Sequence, residues 1–196
     1  MTIDSFGAVF MGLNISAIYS GRISVAVLLL WATIAGNPAL AWFWQAPTWP
    51  EINADLAADY PDVPVINVGQ LHQRLNDASV PAPLLVDTRS AEEFAISHLP
   101  GAVHAEDAQA VRVLIGQIDA TRPVVLYCSV GVRSARVAQE LIAAGADQIS
   151  NLQGSIFEWA NRGLPLMRGS QPEKSVHPFS RKWSKLLDRK YWSHEP

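Results

Sequence analysis

"PVVLYCSVGVRSARVAQELIAAG", residues 123–145, passes through three kinds of local structure in one short run. Its opening, "PVVLYC" (123–128), is continuously apolar and β-branched, the pattern of a strand buried on both faces. From Ser134 to Ala144, the residues Ala138, Leu141 and Ile142 share one helical face. Gly145 follows where a helix end takes a left-handed residue. Between strand and helix lies "CSVGVRS", a turn that opens on the only cysteine of the chain.

The same alternation extends outward on both sides. "VINV" (65–68) is a short strand followed by the helical stretch "GQLHQRLND", and "PLLVD" (83–87) is another buried-strand run. It leads into "SAEEFAIS", where Ser90 and Glu93 have the spacing of a capping box. "GAVHA" gives a further strand, and residues 107–119 place Val111, Leu114, Ile115 and Ile118 at helical spacing. "QISNL" is the fifth strand, and Ser155 and Glu158 open a last helix that stops before Gly163 and Pro165. Strands alternating with helices over about 100 residues predict an α/β fold: a parallel five-stranded sheet with helices on both faces. Ligands of such sheets bind beyond the carboxyl ends of the strands, where Cys128 falls.

Composition narrows the function classes. Among 196 residues the net charge is −3, which lacks the basic footprint of a general nucleic-acid binder. A single cysteine excludes a disulfide within the chain and a multi-cysteine zinc site. At the front, Arg22 precedes the apolar block Ile23–Ala35, then a Gly-Asn-Pro break and "ALA" at 39–41. That order predicts a secretory signal peptide over residues 1–41, with Trp42 as the new N-terminus. Read on through "PALAWFW", the stretch becomes long enough for an uncleaved anchor with Trp42 and Trp44 at the interface. Both readings place the protein outside the cytoplasm, in the periplasm or on the outer side of the inner membrane. Residues 42–64, rich in Trp and Pro and without sustained period, read as a linker lying against the domain at 65–168.

The loop has the parts of an anion site. Gly131 admits backbone conformations that let successive N–H groups point inward, and the following helix adds its N-terminal amides and dipole. Arg133 adds a permanent charge, and Ser129 and Ser134 are candidate hydroxyl donors. These features favour a thiolate at Cys128 able to attack sulfur or phosphorus.

Two blocks resemble the rhodanese family. "LLVDTRSAEEFAISHLPGAVHAE" is similar to its D-x-R, E-[FY] and H-[IL]-P-G-A signature, and "VVLYCSVGVRSARVAQELIAAGADQISNLQGSIFEWANRGLPL" to its C-x-x-G-x-R-S half. The resemblance implies a sulfurtransferase. Cys128 would take sulfane sulfur from thiosulfate or a persulfide, hold it as a persulfide within Ser129, Val130, Gly131, Val132, Arg133 and Ser134, and pass it to a thiol or cyanide-like acceptor. Asp87 and Arg89 match the D-x-R and are expected to support the site. Related phosphatases and arsenate reductases have five residues between cysteine and arginine, whereas "SVGV" provides four here. Oxyanion chemistry is therefore disfavoured, while a non-catalytic sulfide or persulfide carrier stays open. The uncharged loop side chains argue for a persulfide at least as strongly as for thiosulfate.

No cofactor or metal is expected. His98 and His104, around "LPGAV", are read as structural, and Ile156, Phe157 and Trp159 as packing. In the tail, 169–196, the residues Trp183, Leu186, Leu187 and Tyr191 form one helical stripe beside Arg181, Lys182, Lys185, Arg189 and Lys190. This predicts a basic amphipathic helix that docks on the domain, lies on an anionic membrane or meets a partner.

Overall fold

The computed structural model describes residues 47–193. The proposed signal or anchor, residues 1–41, and the start of the linker lie outside the described residues. No helix among the described residues is long and apolar enough to cross a membrane.

The elements in chain order are α1 (Trp49–Asp59), β1 (Val65–Asn67), α2 (Val68–Leu75), β2 (Leu84–Asp87), α3 (Ala91–Ile96) and β3 (Val103–His104). They continue with α4 (Ala108–Ile115), β4 (Val124–Tyr127), α5 (Val132–Ala143), β5 (Ile149–Gln153), α6 (Ser155–Asn161) and the short pair β6 (Leu166–Arg168) and β7 (Gln171–Glu173). Five strands form one sheet in the order β1-β5-β4-β2-β3, with every neighbouring pair parallel. β4 is central, which explains its unbroken apolar run: all four of its residues are buried.

Successive strand residues serve opposite faces. Leu85, Val125, Tyr127 and Leu152 pack with Val68 and Leu71 of α2 and with Ile156, Phe157 and Trp159 of α6. Leu84, Val86, Val124 and Leu126 pack on the other face with Val111 of α4 and Val137, Ala138 and Leu141 of α5. The sheet is thus covered on both sides, as the sequence pattern requires.

Three places differ from expectation. The last helix is capped by Gly154, with φ 76°, and not by Ser155, whose hydroxyl donates to the Leu152 carbonyl. Within the stretch read as a linker, residues 49–59 form α1, capped by Thr48 with Glu51 returning the bond and a proline in the first turn. Only Ile52 of that helix is buried, so its apolar period is weak in the sequence. In the tail, the expected amphipathic helix is replaced by two 3₁₀ turns, Trp183–Leu186 and Arg189–Tyr191. Their apolar side chains do dock: Leu187 is buried in the core beneath α6, with Trp183, Leu186, Tyr191 and Trp192 packed against it. The five cations of the predicted stripe remain exposed.

Candidate active site

Cys128 follows β4 at its carboxyl end, and the chain turns there into α5. Gly131 makes the turn possible. Its φ of 107° and ψ of −8° lie in the left-handed region, which residues with a side chain adopt only at a cost. In that conformation its N–H donates to Cys128 Sγ at 3.2 Å. The thiol also sits at the start of a 12-residue helix, whose N-terminal partial positive charge favours an anion. Cys128 itself is buried, with 1% of its surface exposed.

α6 braces this turn from beneath. The N–H groups of Ile156 and Phe157 donate to the carbonyls of Cys128 and Ser129, each at 3.2 Å. The Cys128 N–H donates to Ser155 Oγ at 3.2 Å, and that hydroxyl donates to the Leu152 carbonyl at 2.9 Å. Asn151 ties the rear of the loop. Its Nδ2 donates to the Gly131 carbonyl at 3.0 Å and its Oδ1 accepts from Ser134 Oγ at 2.7 Å.

Arg133 points to α3. Its guanidinium makes two bonds to Glu93, at 2.7 and 2.9 Å, and a third to Ser129 Oγ at 2.9 Å. Ser129 Oγ in turn donates to Glu93 Oε1 at 3.1 Å. Burial works against ionisation of Glu93, yet the hydrogen bonds and charge of Arg133 outweigh it and hold the carboxyl below its ordinary range. Burial likewise opposes the charge on Arg133, and the bonds to Glu93 with the field of Cys128 keep its pKa raised. The guanidinium lies 4.5 Å from the ring centroid of Phe179, a residue of the tail.

Asp87 and Arg89 form a second, wholly buried pair. Nε and Nη2 of Arg89 donate to the Asp87 carboxylate at 2.7–3.1 Å, and Nη2 also donates to the Ser97 carbonyl at 2.5 Å. Burial penalises the Arg89 charge, but Asp87 overcomes it and raises its pKa. Burial, then Asp87, raises the neighbouring Tyr127 phenol well above its usual value. That hydroxyl accepts from the Leu99 N–H at 3.1 Å. The pair therefore joins the end of β2 to the start of the "HLPGA" turn.

The predicted loop residues are brought together around the sulfur in unequal ways. Gly131 supplies a donor, Val130 is anchored in the core and Val132 is exposed. The hydroxyls of Ser129 and Ser134, expected as donors to the anion, are instead committed to Glu93 and Asn151. Glu93 and Phe179 are site residues that the sequence reading did not assign. The E-[FY] of the first signature block contained Glu93, but its capping role at Ser90 already accounted for it. His98 and His104 bond to the Leu99 and Arg89 carbonyls, and Phe94 lies against both rings.

The model of the rhodanese-like domain matches residues 67–162. The chain is 34% identical over 102 residues to a sulfurtransferase of Allochromatium vinosum, covering 52% of this chain and 92% of the relative. The chain belongs to the rhodanese family. A thiosulfate sulfurtransferase of Actinobacillus pleuropneumoniae is 33% identical over 82 residues, or 42% of this chain and 75% of that one. Two solved structures share the fold. A thiosulfate sulfurtransferase of Pseudomonas aeruginosa has a TM-score of 0.53 at 19% identity, over 69% of this chain and 25% of its own. A protein of Bacillus halodurans has a TM-score of 0.52 at 17% identity, over 70% of this chain and 98% of its own. The chain thus holds one rhodanese domain, and the Allochromatium and Actinobacillus relatives are sulfurtransferases.

Proposed function

We propose that this rhodanese protein transfers sulfane sulfur through a persulfide on Cys128. The observation that carries this reading is the Gly131 N–H aimed at Cys128 Sγ, 3.2 Å away, at the head of α5. A backbone donor fixed there stabilises negative charge on the attacking thiolate, and later on the persulfide, without reorganising. With a protonated persulfide donor RS–SH, the thiolate attacks the terminal sulfur. The S–S bond breaks, its electron pair leaves as RS⁻, and Cys128–S–SH remains with the proton on the transferred sulfur. With thiosulfate the outer sulfur moves in the same way, giving Cys128–S–S⁻ and sulfite. A thiolate or cyanide acceptor then attacks the outer sulfur and releases the Cys128 thiolate.

The four-residue span from Cys128 to Arg133 supports sulfur over phosphate or arsenate as the atom held. The lone cysteine leaves room for a carrier role, since the chain holds no second thiol to resolve a persulfide. Intact-mass measurement after exposure to glutathione persulfide and to thiosulfate tests the proposal. The added mass of one sulfur atom is expected, and it should be absent in Cys128→Ser. Loading followed by multiple turnovers with an added thiol identifies an enzyme, and loading without turnover identifies a carrier. No loading from either donor sinks both.

Export remains a proposal resting on the order Arg22, apolar block, Gly-Asn-Pro and "ALA". Recovery of the protein in the periplasmic or membrane fraction tests it, and the same mass spectrum separates a cleaved signal, with the chain beginning at Trp42, from an uncleaved anchor, with the apolar block retained.

A further inference from the structure

The tail meets the arginine of the Cys128 loop through Phe179. Residues 176–193 lie beyond the matched domain, yet their backbone is fixed. Val176 is buried, its N–H donates to the Tyr191 carbonyl, and its own carbonyl accepts from Ser193. From that anchor the chain runs through Pro178 and turns sharply at Phe179. The Ser180 N–H donates to the Pro178 carbonyl at 2.8 Å, and Phe179 has φ 62°. A three-residue turn with a left-handed bulky residue at its centre is rare and strained. The Phe179 N–H, bonded to His177 Nδ1 at 3.1 Å, helps to hold it. The side chain so presented is 43% exposed and covers the guanidinium of Arg133 at 4.5 Å.

Three N–H groups of that guanidinium are already taken. Its two terminal nitrogens bond to Glu93 and Ser129, so its charge is matched by a carboxylate. The Arg133 side chain keeps 30% of its surface exposed, and the Phe179 ring stands beside it with the guanidinium carbon 4.5 Å from the ring centroid. The outer face of an aromatic ring carries partial negative charge, which repels an anion and offers apolar contact to an organic group. We infer that Phe179 is a specificity-determining residue of the sulfur site, disfavouring the dianion thiosulfate as donor and favouring an organic persulfide. This inference rests on the proposed sulfur transfer through Cys128.

The test compares kcat/KM for thiosulfate and for glutathione persulfide in the full chain and in Phe179→Ala, Phe179→Gly and Phe179→Tyr. Loss of the ring should raise the thiosulfate-to-persulfide ratio by about two- to fivefold, the scale of one exposed cation–π contact. Tyrosine should keep the ratio near that of the unaltered chain. Glycine suits the left-handed backbone, so Phe179→Gly keeps the turn while removing the ring and should shift the ratio as alanine does. Both donors losing equally in Ala and Gly, or a ratio unchanged in both, overturns the inference and leaves sulfur transfer standing. Failure of the unaltered chain to load Cys128 from either donor overturns both together.

Discussion

The Glu93 carboxylate accepts from the Ser90 N–H, from Ser129 Oγ and from Arg133, so removing any donor alters the other bonds. Arg133→Ala would leave that carboxylate, 5% exposed, without its counter-charge. From the sequence, the loss of Arg133 is expected to slow persulfide formation more than it harms folding. The ion pair changes that balance: Arg133→Ala should also cost about 2–3 kcal/mol of stability, below the range for wholly buried pairs because Arg133 is partly solvated. Urea unfolding of Arg133→Ala, Glu93→Gln and the double variant checks this. The double variant should be less destabilised than the two single losses added together, because neither partner is then stranded. The pH dependence follows from the same pair. Glu93 titrates below its ordinary value of 4.5 in the fold, so its contribution is present above that value and is lost as pH falls further. Glu93→Gln should therefore flatten the acid side of the stability profile below about pH 4.5, and an unchanged profile would show that the pair does not couple to folding.

At the scale of elements, the turn that carries Cys128 depends on one backbone conformation shared by β4, α5 and α6. A Cβ at Gly131 would lie 3.4 Å from Leu56 Cδ1 and 3.5 Å from both Asn151 Nδ2 and the Leu152 carbonyl. Those distances are tolerable, so the cost of Gly131→Ala lies in its φ of 107° and in the tilt this forces on the N–H facing the sulfur. Gly101 also has positive φ, 72°, but a Cβ there would meet open space. Each alanine should cost about 1–2 kcal/mol in thermal or urea unfolding. Only Gly131→Ala should slow persulfide loading, and equal loading rates in the two variants would remove the Gly131 N–H from the mechanism. The turn was legible because strand, glycine and helix occur within one contiguous stretch, 123–145, and each pattern is local. α1 was less so, since a helix that buries Ile52 alone shows little period, although the Thr48–Glu51 box and Pro50 marked its start. Glu93 is a different case: a local capping pattern explained it fully, and its bond to Arg133 spans 40 residues.

Across the whole molecule, the tail joins the core on the α6 side to Arg133 of the Cys128 loop. Its helical stripe predicted burial, and burial occurs, but the backbone takes 3₁₀ turns because Asn161 of α6 dictates where it lies. Asn161 Oδ1 accepts from the Asp188 N–H and its Nδ2 donates to the Leu186 carbonyl, both at 2.8 Å. No pattern within the tail encodes these bonds, and none places Phe179 over Arg133. The exposed cations add little to this docking, so charge reversal at Lys185 should change stability by less than about 0.5 kcal/mol. Leu187 is the better lever. It is 3% exposed in the core cluster that also holds Trp159 and Val176. Leu187→Ala should cost about 2–4 kcal/mol, read as a lower urea midpoint with unchanged slope. Because Val176, in the same cluster, anchors the turn that presents Phe179, loosening the tail at Leu187 should also raise the thiosulfate-to-persulfide ratio. A fall in stability with no change in donor preference would separate the two roles, leaving the tail as packing and Phe179 as an independent ornament of Arg133.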